Sequence, residues 1–211
     1  MYFKKIDFSI FFYYNDDGDI MNNPSITFKK IWGHFNTVRR HRWKVFCLSC
    51  KVGIPFLGLK HDLSKYLPVE FLESCRYYEE GKYSPIRKCK EVNGYSLAWI
   101  HHKNHNKHHY EYWYDYNAKT PSPMMPFKYF LEMVCDSFAA GMVYQGKNWT
   151  KEYQFTYWNK VKDHAIMHPN MFQLLETIYQ DVSIEGLDAV LKRKRLKKYY
   201  DECLNMKFAK K

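Results

Sequence analysis

One stretch restricts the fold of this chain more than any other. From Phe127 to about Gln145 the residues are apolar on nearly every side, yet the interior of the run carries Glu132 and Asp136. A helix that is apolar all round belongs inside a core, covered by other elements. Glu132 and Asp136 are four residues apart and therefore share one of its faces. An ionised carboxylate in such a place is costly unless it is paired or bound to metal. For Glu132 a salt bridge and a metal are equally open, and for Asp136 the metal is preferred.

The rest of the chain supplies helices to cover that segment. From Thr27 to about Val52, residues Val38, His41, Val45, Leu48 and Val52 recur three or four apart, so His41 points with the core stripe. Gly53-Ile54-Pro55 interrupts the pattern, and Pro68 suits the first turn of a further helix through Glu80, closed by Gly81. Tyr83 to Asn93 reads as a polar connector. A third helix is expected from Tyr95 to about Tyr114, a break at Pro121 to Pro126, a helix start at His168-Pro169 and a last helix after Ser183. No alternating strand pattern of useful length occurs, so the fold class reads as an all-α helical bundle.

A chain of 211 residues suits one compact domain. It divides into an N-terminal extension (1–26), a helical domain (27–182) and a basic C-terminal helix or tail (183–211). The extension holds an aromatic run, Phe8 to Tyr14, then a turn-like Asn15 to Asp19; a small hairpin or a dispensable leader both fit, and Met21 is a second candidate start. The formal net charge of +11 favours an anionic partner. Part of it lies in Lys192 to Arg195, Lys197-Lys198 and Lys210-Lys211, where a solvated helix face is favoured over a nucleic-acid contact. Six scattered cysteines without dense spacing point to a reduced, cytoplasmic setting, and Cys47-x-x-Cys50 reads as small core residues rather than a zinc or redox site. No apolar stretch approaches the ~20 residues that span a bilayer, and no membrane partner is expected.

The chemistry concentrates in histidines and carboxylates. His61-Asp62 places an imidazole and a carboxylate side by side, both able to ligate a hard-to-borderline ion. Five histidines, at 101, 102, 105, 108 and 109, fall within an arc of roughly 120° if they share one helix. At least one of them is expected to serve a metal or an anion. His34 lies seven residues before His41 and reads as a hydrogen-bonded structural histidine; His164 is ambiguous. Trp99, Tyr112 and Trp113 flank the histidines and read as core packing, with stacking on a base as the alternative.

His41, the His61-Asp62 pair and Asp136 resemble, in order and type, the ligand set of the HD-domain superfamily of metal-dependent phosphohydrolases. The likeness is closer still to a group of small bacterial and phage proteins within or near that superfamily. It rests on His61-Asp62-Leu63-Ser64-Lys65 with Pro68, Glu70 and Phe71, then Asn106-Lys107-His108-His109 with Trp113, then Glu132 to Asp136 with Ala139-Ala140-Gly141, then His168-Pro169. It covers about residues 34 to 170. The resemblance implies an HD-domain-like helical bundle and one or two divalent ions (Mn, Fe, Co, Ni, Zn or Mg) held by His41, His61, Asp62 and Asp136. Two-metal members use extra histidines between the His-Asp pair and the final Asp, a role that His102, His105, His108 and His109 could each fill, with His108 or His109 favoured. It also implies that Lys65 faces the substrate phosphate.

The expected activity is hydrolysis of a phosphorylated small molecule, with a nucleotide as the leading class, by metal-activated water. Asp62, Lys65, Glu70 and Glu132 are the catalytic candidates, and Lys65, His102 and His105 the substrate-binding ones. The chain departs from many single-metal members in carrying Lys65 where they have an acidic residue, with Glu70 the next acid. Two other classes fit the sequence: a di-iron oxygenase on the same scaffold, and a basic module that binds nucleic acid through its C-terminus.

Overall fold

A computed structural model describes residues 24–80, 83–119 and 122–205. Among them are ten α-helices and no strand: α1 (Phe28–Lys51), α2 (Pro55–Lys60), α3 (Pro68–Arg76), α4 (Pro85–Asn93), α5 (Leu97–His105), α6 (Phe127–Gln145), α7 (Tyr153–Val161), α8 (Pro169–Glu185), α9 (Leu187–Val190) and α10 (Arg193–Asn205). The chain is an all-α bundle, and among the described residues no helix is long and apolar enough to cross a membrane.

The central helix is the segment that the sequence marks as apolar all round. Phe130, Leu131, Val134, Cys135, Phe138 and Ala139 of α6 are fully buried. The core stripe of α1 (Val38, Val45, Leu48) lies along one side, and Leu174, Leu175, Ile178 and Val182 of α8 close another. Thr27 caps α1 by accepting from the Lys30 amide at 3.3 Å. His168 caps α8 through Nδ1, which accepts from the Asn170 amide at 3.1 Å.

Several expectations are corrected. α3 ends at Arg76 rather than Glu80, and Gly81 lies outside the described residues. The supposed connector before Asn93 is largely helix α4: Pro85 presets its first turn, Cys89 is buried, and Gly94 ends it at φ 78°, a conformation glycine adopts without strain. α7 had no expectation at all. α8 runs through Ser183 to Glu185, so the last helix begins later, at Arg193. That helix also buries Leu196, Tyr200 and Cys203 in the common core, and the Tyr200 hydroxyl donates to the Met125 carbonyl at 2.6 Å. Cys50 is exposed, not a core residue, and all six cysteines are free. The N-terminal hairpin, the Met21 start and Lys210-Lys211 fall outside the described residues.

Much of the basic run in α10 is used internally. Arg193 donates to the Val52 and Gly53 carbonyls, and Arg195 to Glu185 and Asp181. Lys197 pairs with Asp201 one turn on. This agrees with the solvated helix face rather than with a nucleic-acid contact.

Candidate metal centre

The site begins at a sharp reversal. After α1, Gly53-Ile54-Pro55 turns the chain back so that α2 packs on the helix it has just left. Gly58 makes this close approach possible, since a Cβ there would sit 2.5 Å from Ser49 Cβ and 3.1 Å from Phe46 Cα. Arg42 on α1 ties down the end of α2, donating to the carbonyls of His61 and Leu59 at 2.8 Å each. Asp62 then adopts the left-handed region, φ 53°, the one non-glycine with positive φ among the described residues. Such a conformation costs on the order of 1–2 kcal/mol for an L-residue and persists where the surroundings hold it. Here it turns the Asp62 carboxylate inward, 1% exposed.

The two oxygens of that carboxylate face different donors. Oδ1 lies 3.3 Å from His102 Nε2 and 3.4 Å from His108 Nε2. Oδ2 lies 3.2 Å from His61 Nε2, 3.6 Å from His41 Nε2 and 2.6 Å from the Lys65 ammonium. Asp136 completes the second side: Oδ1 is 3.0 Å from His41 Nε2 and 3.4 Å from His61 Nε2. Two groups of four residues able to hold a metal ion therefore share Asp62: His41, His61, Asp62 and Asp136, and Asp62, His102, His108 and His109.

A second ring of carboxylates fixes the imidazoles. Glu132 Oε1 accepts from Nδ1 of His61 at 3.0 Å and lies 3.3 Å from Nδ1 of His108. Glu70 accepts from Nδ1 of His101 at 2.7 Å and of His102 at 2.8 Å, one oxygen each. With a carboxylate on Nδ1, the Nε2 of His61, His102 and His108 is the nitrogen turned toward Asp62, a bare lone pair in each neutral ring. Lone pairs facing a buried carboxylate repel it unless a cation stands between them.

Two further observations agree with a cation at this position. Neither Asp62 oxygen, nor Nε2 of His108 or His109, has a well-directed hydrogen bond although all are buried. Burial opposes charge on Asp62, but His61, Lys65 and His102 outweigh it and hold the carboxyl well below the usual range. Asp136 behaves alike: burial is overcome by its bonds to His41 and His61. His61 is the counterpart, its pKa held well above the ordinary imidazole value because Asp62, Asp136 and Glu132 overcome burial. For His109, burial and the neighbouring His108 and His102 act together and push the pKa far down, so it stays a neutral donor. A proton and a metal ion are alternative ways to neutralise the same carboxylates, and the donor set of neutral imidazoles and ionised carboxylates fits a divalent ion.

Measured against the sequence, the structure brings His41, His61, Asp62, Asp136, His108 and His109 together. Several expectations change. The five histidines do not share one helix: α5 stops at His105, where Asn106 takes an extended backbone and its side chain donates to the His102 carbonyl at 2.8 Å. His108 and His109 return to the centre from the following turn. His105 does not reach it; it is exposed, stacks on His101 with ring centroids 3.9 Å apart, and its Nδ1 bonds the His101 carbonyl. His102, open in the sequence as a substrate group or as a further ligand, stands among the candidate metal donors.

Glu70 and Glu132, expected as acid or base, contact the Nδ1 edges of the imidazoles, and Glu132 with His61 and His108 forms a third group able to hold an ion. Lys65 is a quarter exposed and faces Asp62, at the outer edge of the donor set. His164 is exposed. His34 is buried against Phe71 and Tyr78, but neither ring nitrogen has a hydrogen bond, so the expected bonded histidine is not found. Trp99 packs edge-on against His109, with centroids 5.0 Å apart. Arg42 was missed, and nothing in its sequence context marks it among so many neighbouring cations.

The profile of a family of unknown function (DUF5662) matches residues 30–181, which include every residue of this centre. No curated protein and no solved structure matches the chain.

Proposed function

The chain belongs to that family of unknown function, and we propose that it is a metal-dependent phosphohydrolase acting on a phosphorylated small molecule through a two-ion centre bridged by Asp62. The observation that carries this reading is the division of the Asp62 carboxylate, with Oδ1 toward His102 and His108 and Oδ2 toward His41, His61 and Lys65. The resemblance to HD-domain phosphohydrolases agrees with it, because His41, His61, Asp62 and Asp136 are the residues that the resemblance picks out. Imidazoles and carboxylates together suit Mn, Fe, Co, Ni or Zn better than Mg. Divalent ions in such a set supply Lewis acidity and make a coordinated water more acidic.

The chain's own residues supply the rest. Lys65 is the one ammonium at the edge of the donor set, and it would neutralise charge on a phosphoryl oxygen placed there. Glu132 and Glu70 hold the rings of His61, His108 and His102 in the tautomer that turns Nε2 inward. His109, neutral and without a hydrogen-bond partner on Nε2, is either a ligand or the group that passes a proton. A nucleotide fits as substrate because Trp99 packs beside His102 and His109, close enough to offer a base a ring to stack on.

A di-iron oxygenase is the second reading, favoured by the same shared carboxylate. Lys65 fits either reading, since the organic substrate of an oxygenase can be anionic too. The test is hydrolysis of a broad panel of phosphate esters and nucleotides by protein loaded in turn with manganese, iron, cobalt, nickel and zinc. Release of phosphate that disappears in Asp62→Asn supports the proposal. No hydrolysis with any metal overturns it, and oxygen uptake by the iron form would move the assignment to the oxygenase.

A further inference from the structure

The outer side of α1 carries a row of aromatic side chains. At 100° per residue, Phe28, Trp32, Phe35, Trp43 and Phe46 fall within an arc of about 80° on the face turned away from the core stripe, with Arg39 among them. Phe28, Trp32 and Trp43 are each more than half exposed. The belt continues onto the neighbouring turn. Trp32 stacks on Phe35, Phe35 meets Tyr66, and Arg42 lies over Tyr66 while bonding the Leu59 carbonyl. Phe56, Leu59, Leu63 and Leu67 extend it, with Phe56 80% exposed. A contiguous apolar surface of this kind on a folded domain marks an interaction site.

Charge identifies the partner. From Phe28 to His61 the sequence has eight Lys or Arg and no Asp or Glu. Among the described residues none of Lys29, Arg39, Arg40, Lys44 and Lys60 has a carboxylate partner, and all five are exposed. A second copy of the chain docked here about a two-fold axis would set these cations against one another. A single-stranded nucleic acid would use the aromatic rings, but Leu59, Leu63 and Leu67 offer a base no π face. Aromatic and aliphatic side chains projecting together between Lys and Arg are what an anionic bilayer surface receives.

We propose that the face built from α1, α2 and the Leu63–Tyr66 turn docks peripherally on an anionic lipid surface. The expectation of no membrane partner rests on the absence of a spanning segment, and a protein docked on the surface needs none. The face includes the turn that follows His61-Asp62, so docking would set the metal centre beside the lipid headgroups. The inference does not depend on the phosphohydrolase reading.

Flotation of the full chain with vesicles tests it. Vesicles of phosphatidylcholine mixed equally with phosphatidylglycerol should carry the protein, and pure phosphatidylcholine vesicles should not. High salt should weaken the binding, and Trp43→Glu/Phe56→Glu should lower it at least about tenfold. Both residues are exposed, and unchanged helical content and metal content would show that the variant is folded and its centre intact. Vesicle binding that the double variant retains would overturn the proposal. So would failure to float with the anionic vesicles, whether the protein then binds a single-stranded oligonucleotide through this face, forms a dimer that the double variant dissolves, or does neither. Hydrolysis of a soluble ester by the double variant separates failure here from failure of the proposed reaction.

Discussion

Glu132 Oε1 lies 3.0 Å from Nδ1 of His61, on the ring edge opposite the one that faces Asp62. On the proposed reading that contact makes Glu132, a candidate acid or base by sequence, a positioning group for His61. In Glu132→Gln the amide oxygen accepts only weakly, and the Nδ1 protons of His61 and His108 lose their charged partner. Metal affinity should fall roughly 10- to 100-fold, with helical content retained, in a competition titration against a chromogenic chelator. Affinity unchanged in the variant would count against the positioning role.

The close contact between α1 and α2 ties the fold to the site. Gly58→Ala places a methyl group 2.5 Å from Ser49 Cβ and 3.1 Å from the Phe46 backbone, so the two helices must separate. Such overpacking costs about 1–3 kcal/mol. It should also displace His61, three residues on, so that bound metal falls along with the midpoint of denaturant unfolding. A variant of lowered stability but full metal content would show that α2 moves without carrying His61.

Lys65→Met removes the ammonium beside Asp62 and leaves every imidazole in place. If the proposed reaction holds, kcat should fall about 100-fold or more while both ions remain bound. Equal loss of metal and activity would instead make Lys65 a support for Asp62.

His34, outside the donor set, gives a further pH dependence. Burial, then the charge on Lys65, lowers its pKa from 6.5 to about 4. The unfolded chain therefore binds the proton more readily than the folded one, and stability falls as pH drops from 6.5 toward 4. The loss at pH 4 is on the order of 3 kcal/mol. Urea unfolding of the chelator-treated protein at several pH values should show a steeper decline than His34→Phe under the same conditions. Parallel curves would refute the assignment.

How much of this was legible in the sequence depended on whether the signal was local. The all-round apolarity of 127–145 and the spacing of Val38, His41, Val45 and Leu48 are local, and α6 and α1 follow them. His41, His61, Asp62 and Asp136 were legible by type and order through the resemblance. The partition of the later histidines was not. It turns on Asn106 ending α5 after His105, a choice made by the Asn106 side chain and by burial of His108. Glu70 as a positioning group was hidden for the same reason, since only the fold brings it against His101 and His102 from 31 and 32 residues away. The short helix α4 does carry an apolar stripe, Pro85, Ile86, Cys89 and Val92, but its brevity and the charged residues between them made it read as a connector.

The central claim is that Asp62 is shared by two metal sets, and metal counting on purified variants tests it most directly. Wild-type protein loaded with manganese or iron should hold two ions per chain. His102→Ala should lose one and His41→Ala the other, whereas Asp62→Asn should lose both and His105→Ala neither. A single ion in the wild type, lost equally on replacing His41 but untouched on replacing His102 or His108, would contradict the account.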